Sequence, residues 1–266
     1  MVSRPLLPVF LLCLYSETPI AGRRYGMKTL LTGAKPLGIN LTPGQVEAFA
    51  TYYRELIAER RRASLTSLTD SEAVQRRHFL ESLALLRALE DAGAFGPTAI
   101  DIGTGAGFPG LPIKLVRPSL SLTLLEATGK KAAFLERLIQ KLALHGVTVI
   151  HARAEDLARD PAHRAAYDLS LARAVAPLPV LVELALPFLR LGGYLATPKG
   201  SAAAREARQA SAALELCGGR LELLRPLDLP GPGPTPTLVL IRKVADTPDR
   251  FPRRPGVPAK RPLIRG

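Results

Sequence analysis

Two rhythms of apolar and polar positions divide the chain. Val46, Phe49, Tyr53, Leu56 and Ile57 recur at helical spacing behind Thr42-Pro43-Gly44-Gln45. Thr42 suits an N-cap, Pro43 the first turn, and Gln45 completes a capping box. Thr69-Asp70-Ser71-Glu72 reads as a second capping box, with Phe79, Leu83 and Leu86 on one face of the helix behind it. The spacing predicts a helical unit over 41–92.

From Gly93 the rhythm changes to short apolar runs alternating with amphipathic stretches. Strands are expected at 97–102, 121–126, 147–151, 167–171, 191–197, 220–225 and 236–242, with helices near 109–117, 129–144, 153–159, 177–189 and 201–216. Such alternation implies a mostly parallel sheet covered on both faces. The last two strands are joined by Pro230-Gly231-Pro232-Gly233-Pro234, too short for a crossover helix, so they should pair antiparallel. The expected class is therefore α/β: a doubly wound, mostly parallel, seven-stranded Rossmann-like sheet with an N-terminal helical extension. Residues 1–40 read as a mostly irregular basic extension, 93–245 as the sheet domain, and 246–266 as a basic Pro-rich tail, a solvated or RNA-contacting arm that builds no core.

Composition narrows the partners. The chain is 47% hydrophobic and 22% charged, enough to bury a core, and its formal net charge of +13 favours an anionic partner such as nucleic acid, a nucleotide or an acidic membrane surface. Cys13 and Cys217 exclude a disulfide scaffold and a Cys-rich zinc site, and the histidines form no H-E-x-x-H pair, so no metal is expected. No run of about 18 apolar residues marks a membrane span. Residues 6–15, after Arg4, have the look of a short signal peptide. The competing readings, an unstructured extension or a start codon placed upstream of a true start at Met27, are preferred.

The most informative stretch is Asp101-Ile102-Gly103-Thr104-Gly105-Ala106-Gly107-Phe108-Pro109-Gly110. An apolar strand runs into three alternate glycines, and a helix begins near Pro109. Glycines permit close approach of the backbone to a ligand, and a helix start adds amide donors. The first loop of a doubly wound sheet is where such folds bind nucleotides. Two ligands compete. NAD fits Gly105-x-Gly107-x-x-Gly110, with Glu126 about 20 residues on as a ribose acid. S-adenosylmethionine fits better: Asp101 at the strand end would repel a pyrophosphate but suits an ammonium, and Pro109 lacks an amide that a pyrophosphate would use. A structural glycine turn with no ligand is the bland alternative.

The end of the fourth strand reads Leu171-Ala172-Arg173-Ala174-Val175-Ala176-Pro177. It lacks the N/D/S-P-P-Y/F motif common where exocyclic amines are methylated, and no cysteine follows to attack a cytosine ring. A ring nitrogen with a free lone pair, such as guanine N7, needs neither device.

At this point the chain resembles the RsmG (GidB) family, bacterial methyltransferases that form N7-methylguanosine in 16S ribosomal RNA. The resemblance covers about 40–243 and the tail. Leu65-Thr66-Ser67 with Arg77-His78-Phe79-Leu80-Glu81-Ser82-Leu83 resembles the family's L-T-S…R-H-x-x-D-S-L block, and Asp101 to Gly110 resembles its D-x-G-[ST]-G-x-G-x-P-G loop. Leu125-Glu126-Ala127, Lys130-Lys131, Arg153-Ala154-Glu155, Arg173-Ala174-Val175-Ala176, Lys199-Gly200 and Phe251-Pro252-Arg253-Arg254-Pro255-Gly256 add ordered blocks. Glu59-Arg60 and Ser64 depart from the Trp-Asn and Asn of many members.

The resemblance implies a Rossmann-like methyltransferase domain over 93–245 using S-adenosyl-L-methionine. It assigns Gly103, Phe108, Glu126, Ala127, Thr128, Ala154 and Glu155 to the cofactor and places Arg173 beside its methionine end, facing the RNA; Asp101, Gly105 and Gly107 join the cofactor set from the loop itself, and Arg173 with Lys199, at the carboxyl edge of the sheet, are the catalytic candidates. The expected partner is 16S rRNA within the small ribosomal subunit, reached by a cytoplasmic monomer without membrane or metal. A NAD-dependent reductase and a non-catalytic rRNA-binding assembly factor are the alternatives. His78 is read as a core imidazole and Cys217 as a small core residue.

Overall fold

The computed structural model describes residues 26–264. The apolar stretch 6–15 and Cys13 lie outside them. Strands β1 (Thr98–Ile102), β2 (Ser121–Glu126), β3 (Val147–His151), β4 (Tyr167–Ala172), β5 (Leu189–Lys199), β6 (Gly219–Pro226) and β7 (Thr237–Lys243) form one seven-stranded sheet in the order β3-β2-β1-β4-β5-β7-β6. β1 to β5 pair parallel with their neighbours, while β7 runs antiparallel to both β5 and β6. The chain order reverses between β1 and β4, which opens a crevice at their carboxyl ends.

Alternate side chains along each strand serve opposite faces. Ala99 faces a layer that contains Phe49, Phe79 and Leu83, whereas Ile100 and Ile102 face a layer with Leu181, Phe188 and Leu214. The first layer carries the N-terminal helices α1 (Lys28–Ala34), α2 (Pro43–Ala63), α3 (Ser71–Val74) and α4 (Glu81–Asp91), with α5 (Gly110–Val116) and α6 (Gly129–Lys141). α7 (Ala154–Leu157), α8 (Leu178–Ala185), α9 (Ala203–Gln209) and α10 (Ser211–Cys217) follow, and α11 (Val257–Lys260) ends the described chain. Cys217 is buried in the second layer, and burial pushes its thiol up to about 12.

The Thr42 capping box forms as its sequence suggests: Oγ1 accepts from the Gln45 amide at 3.2 Å, and Gln45 Oε1 from the Thr42 amide at 2.9 Å. The second box does not. The N-cap is Asp70 rather than Thr69, its carboxylate accepting from Ala73 N at 2.8 Å. A carboxylate there also favours the positive end of the helix dipole.

Two expectations need correction. Residues 28–37 are not irregular: α1, continued by a 3-10 turn, lies against a π-helical turn, Gln75–Leu80. Gln75 anchors them, accepting from Leu30 N at 3.0 Å and donating to the Gly26 carbonyl at 2.9 Å. Nor does the tail stand free of the core. Phe251 is 4% exposed, and Glu183, wholly buried, accepts from Arg253 N and Nε at 2.8 Å and Nη2 at 2.6 Å. Arg159 and Arg164 donate to carbonyls of residues 247–252. The Pro-rich stretch folds because partners distant in sequence satisfy its backbone.

Candidate active site

The glycine loop leaves β1 and folds over its own strand. Gly103 and Gly105 have φ of 59° and 63°, in the left-handed region that glycine adopts without a Cβ clash. Asp101 lies beneath, wholly buried. Its Oδ2 accepts from Thr104 Oγ1 at 2.6 Å and Gly110 N at 2.9 Å, while Oδ1 has no partner. Burial raises its carboxyl to about 7 against these two hydrogen bonds. Asp101 therefore braces both ends of the loop.

Glu126 closes the loop from β2. One carboxylate oxygen accepts from Gly105 N at 2.9 Å, the other from Thr128 N at 2.8 Å. Ala127 and Thr128 are exposed beside it, and Gly103 is exposed at the start of the loop, next to Val175. These residues make a continuous rim. Ala154 and Glu155 begin α7 nearby in the topology, at the end of β3, and Glu155 Oε1 accepts from Gly256 N at 3.0 Å, which links the tail to this edge.

Gly107 and Phe108 lie elsewhere, inward of the rim. Gly107 has a φ of 101°, which side chains rarely adopt, and a Cβ there would also meet Leu111 Cδ1 at 2.5 Å and Tyr52 Oη at 2.6 Å, so glycine is required. Phe108 is 5% exposed and stacks on Tyr52 at 5.1 Å and on His78 at 4.5 Å between centroids. Tyr52 Oη donates to the Ala106 carbonyl at 2.5 Å. The helical unit is thus keyed into the glycine loop.

Arg173 follows β4, and the next residue, Ala174, has φ 56°. A left-handed alanine costs about 1–2 kcal/mol, and such strain concentrates at functional sites. The Arg173 guanidinium lies 5.0 Å from the Phe108 ring centre and donates to the Arg77 carbonyl at 2.8 Å and His78 Nδ1 at 2.9 Å. Buried Glu81 stands 3.6 Å away; burial raises its pKa while Arg173 and Arg77 oppose the rise. Lys199, at the end of β5, donates to the Ala176 carbonyl at 2.6 Å and pairs with Glu206 at 3.0 Å. It secures the turn after Arg173. Arg77, His78, Glu81, Arg173 and Lys199 line one open cleft of about 770 Å³.

Tyr52 and Glu81 are absent from the sequence-derived site. Phe49, Tyr52 and Leu56 share a helical stripe, which marks Tyr52 as inward, and Arg77 with Glu81 lies one turn apart. Neither signal points to the glycine loop or to Arg173. Among the described residues no group of three His, Cys, Asp or Glu could hold a metal ion.

Residues 45–227 match the family model described as rRNA small subunit methyltransferase G. The chain belongs to that family. It is 48% identical to the ribosomal RNA small subunit methyltransferase G of Roseiflexus sp. (strain RS-1) across 89% of this chain and 100% of that one. It is 46% identical to the protein of that name from Pelotomaculum thermopropionicum, across 89% of this chain and 98% of the relative. Among solved structures, a branched-chain polyamine synthase from Thermus thermophilus superposes with a TM-score of 0.50 at 16% identity, covering 75% of this chain and 66% of that one. The last likeness concerns the fold alone. The family match includes the glycine loop, Arg173 and Lys199, but begins after the Thr42 cap and ends before β7 and the docked tail.

Proposed function

We propose that this chain transfers the methyl group of S-adenosyl-L-methionine to N7 of a guanosine in the 16S rRNA of the small ribosomal subunit. Membership of the small subunit methyltransferase G family carries the reading. The geometry supports it: a glycine rim with an acid on β2 adjoins a cleft headed by an arginine at the end of β4.

The residues present fit the cofactor. Asp101 Oδ1 is a buried acceptor without a hydrogen-bond partner. A Cβ at Gly105 would meet only the loop's own Gly103 carbonyl, at 4.0 Å. S-adenosylmethionine, when bound, supplies an electrophilic methyl on a sulfonium. Gly103, Gly105, Glu126, Ala127 and Thr128 would hold its nucleoside side, with the backbone of Ala154 and Glu155 at the adenine. Asp101 would offer its unpartnered Oδ1 to the cofactor's ammonium, while Gly107 and Phe108 would act from beneath by shaping the loop.

Guanine N7 brings its own lone pair, so the protein has to align and not deprotonate it. Attack turns a neutral base cationic, and uncompensated positive charge beside it would oppose the reaction. The three cleft cations face two carboxylates: Arg77 and Arg173 share Glu81, and Lys199 pairs with Glu206. Arg173 retains N–H donors to orient a phosphate or guanine O6, while Lys199 holds the 174–177 turn.

Tritiated methyl transfer to small ribosomal subunits, followed by nucleoside analysis, tests the reading. N7-methylguanosine, with borohydride–aniline cleavage at one position of 16S RNA, is the expected result. Methylcytosine, methyladenosine or a methylated protein would overturn it.

A further inference from the structure

Three elements meet at His78: the π-helical turn that carries it, the glycine loop through Phe108, and the end of β4 through Arg173. A guanidinium nitrogen only donates, so His78 Nδ1, 2.9 Å from Arg173 Nη2, must accept and carries no hydrogen. The ring hydrogen therefore sits on Nε2 and is given to Thr66 Oγ1 at 3.0 Å. Thr66 is itself fixed, since the same oxygen accepts from Leu68 N at 3.1 Å. Stacking on Phe108, with planes 20° apart, sets the ring's tilt.

The charges around the ring agree with a neutral imidazole. Arg173 faces it from β4 and Arg77 from its own turn, while Glu81 is paired to those two arginines. Thr66 and Phe108 bring no charge. Burial, and then Arg173, lower the His78 pKa to about 3.

We propose that His78 is the positioning residue for Arg173, a tautomer-locked acceptor that fixes the guanidinium at the mouth of the cleft. A cation would repel Arg173, and an apolar ring would leave Nη2 without its acceptor, so that the guanidinium is held only through Nη1 by the Arg77 carbonyl and Glu81 and can pivot about that end. The buried imidazole thus belongs to the site and is not merely core. The proposal rests on Arg173 being the substrate-facing arginine.

Two variants separate positioning from packing. His78→Phe keeps a ring against Phe108 and loses both hydrogen bonds; His78→Asn keeps an acceptor near Nδ1 and loses the stack. For methyl transfer to small ribosomal subunits, His78→Phe should lower kcat roughly ten- to a hundredfold, the scale of a misplaced contact. Its affinity for S-adenosylhomocysteine should stay within about twofold, because the ring lies on the cleft side of Phe108. His78→Asn should recover part of the lost rate. The reverse ranking, with Phe near the wild type and Asn inactive, overturns the proposal in favour of packing.

A second measurement needs no variant. Two-bond 1H–15N correlation spectra of histidine-labelled wild-type protein should show His78 as a neutral Nε2–H tautomer from about pH 5 to about pH 8. An Nδ1–H tautomer, or protonation in that range, overturns it. Arg173→Lys distinguishes the two levels. If it loses transfer while His78→Phe keeps it, positioning fails and the reading of Arg173 stands. If both variants transfer at the wild-type rate, the reading of Arg173 fails and takes the proposal with it.

Discussion

Glu126 reaches back 21 positions along the chain to accept a hydrogen bond from the Gly105 amide at 2.9 Å. Its other oxygen accepts from Thr128 N, so both ends of one carboxylate face backbone donors. Glu126→Ala should weaken S-adenosylhomocysteine binding by about 1–3 kcal/mol, the scale of a lost hydrogen bond to a charged group. Glu126→Gln should cost nearly as much, because its NH2 would confront a backbone N–H. Titration calorimetry on both variants decides it; full affinity in the Gln variant would show that the charge and both acceptors are dispensable.

Asp101 gives the folded protein a pH signature. Its carboxyl is raised by burial from 3.8 to about 7. Between those values the native state keeps a proton that the unfolded chain releases, so the stability it contributes falls as pH rises through that window and levels above it. Asp101→Asn cannot ionise and retains an acceptor for Gly110 N. Urea titrations from about pH 4 to about pH 8 should show wild type losing stability relative to the variant as pH rises. Parallel curves would contradict the raised carboxyl.

The docked tail predicts a large penalty at Arg253. Removing a partner from a buried ion pair leaves an uncompensated charge, which costs about 3–5 kcal/mol. Glu183 is wholly buried and Arg253 supplies two side-chain donors to it. Arg253→Ala should therefore lower unfolding stability by about 3 kcal/mol, the residual Arg253 N–H bond and the 25% exposure of the arginine side chain keeping the loss near the lower bound. A denaturant midpoint unchanged from wild type would mean that the tail is not anchored there.

Ser64 ends α2 with φ 52° and ψ 50°, a left-handed conformation that a Cβ disfavours. Glycine, and to a lesser degree asparagine, suits that position. Ser64→Gly should stabilise the protein by about 1 kcal/mol, and Ser64→Asn by less. Thermal unfolding checks the order; a destabilised Gly variant would show that the Ser64 side chain makes a contact worth more than the strain.

The sheet and most of its helices were legible in the sequence because their signals are local. Strand period, the Thr42 cap and the glycines at 103 and 105 act within a few residues of themselves, and so did the motif blocks behind the family resemblance. The long strand β5 outran its expected bounds of 191–197 because pairing with β7, and not its own Pro198, sets its end. The Asp70 cap was displaced by one residue from Thr69, since two adjacent residues could each cap and tertiary packing chose the register of the helix.

Sequence by itself determined the α/β order, the antiparallel close of β6 on β7, and which acid and arginine flank the crevice. Tertiary structure decided what those groups touch. It turned Asp101 and Phe108 inward to brace the loop and tied Lys199 to Glu206. It also brought Tyr52 onto the glycine loop 54 positions away and joined Arg173 to His78 across 95. It bound a proline-rich tail to a buried glutamate 70 positions back. Periodicity reports which face a residue occupies; the partner on that face is chosen by the packing of elements remote in the chain, and hydrogen bonds that close only there carry no local signature.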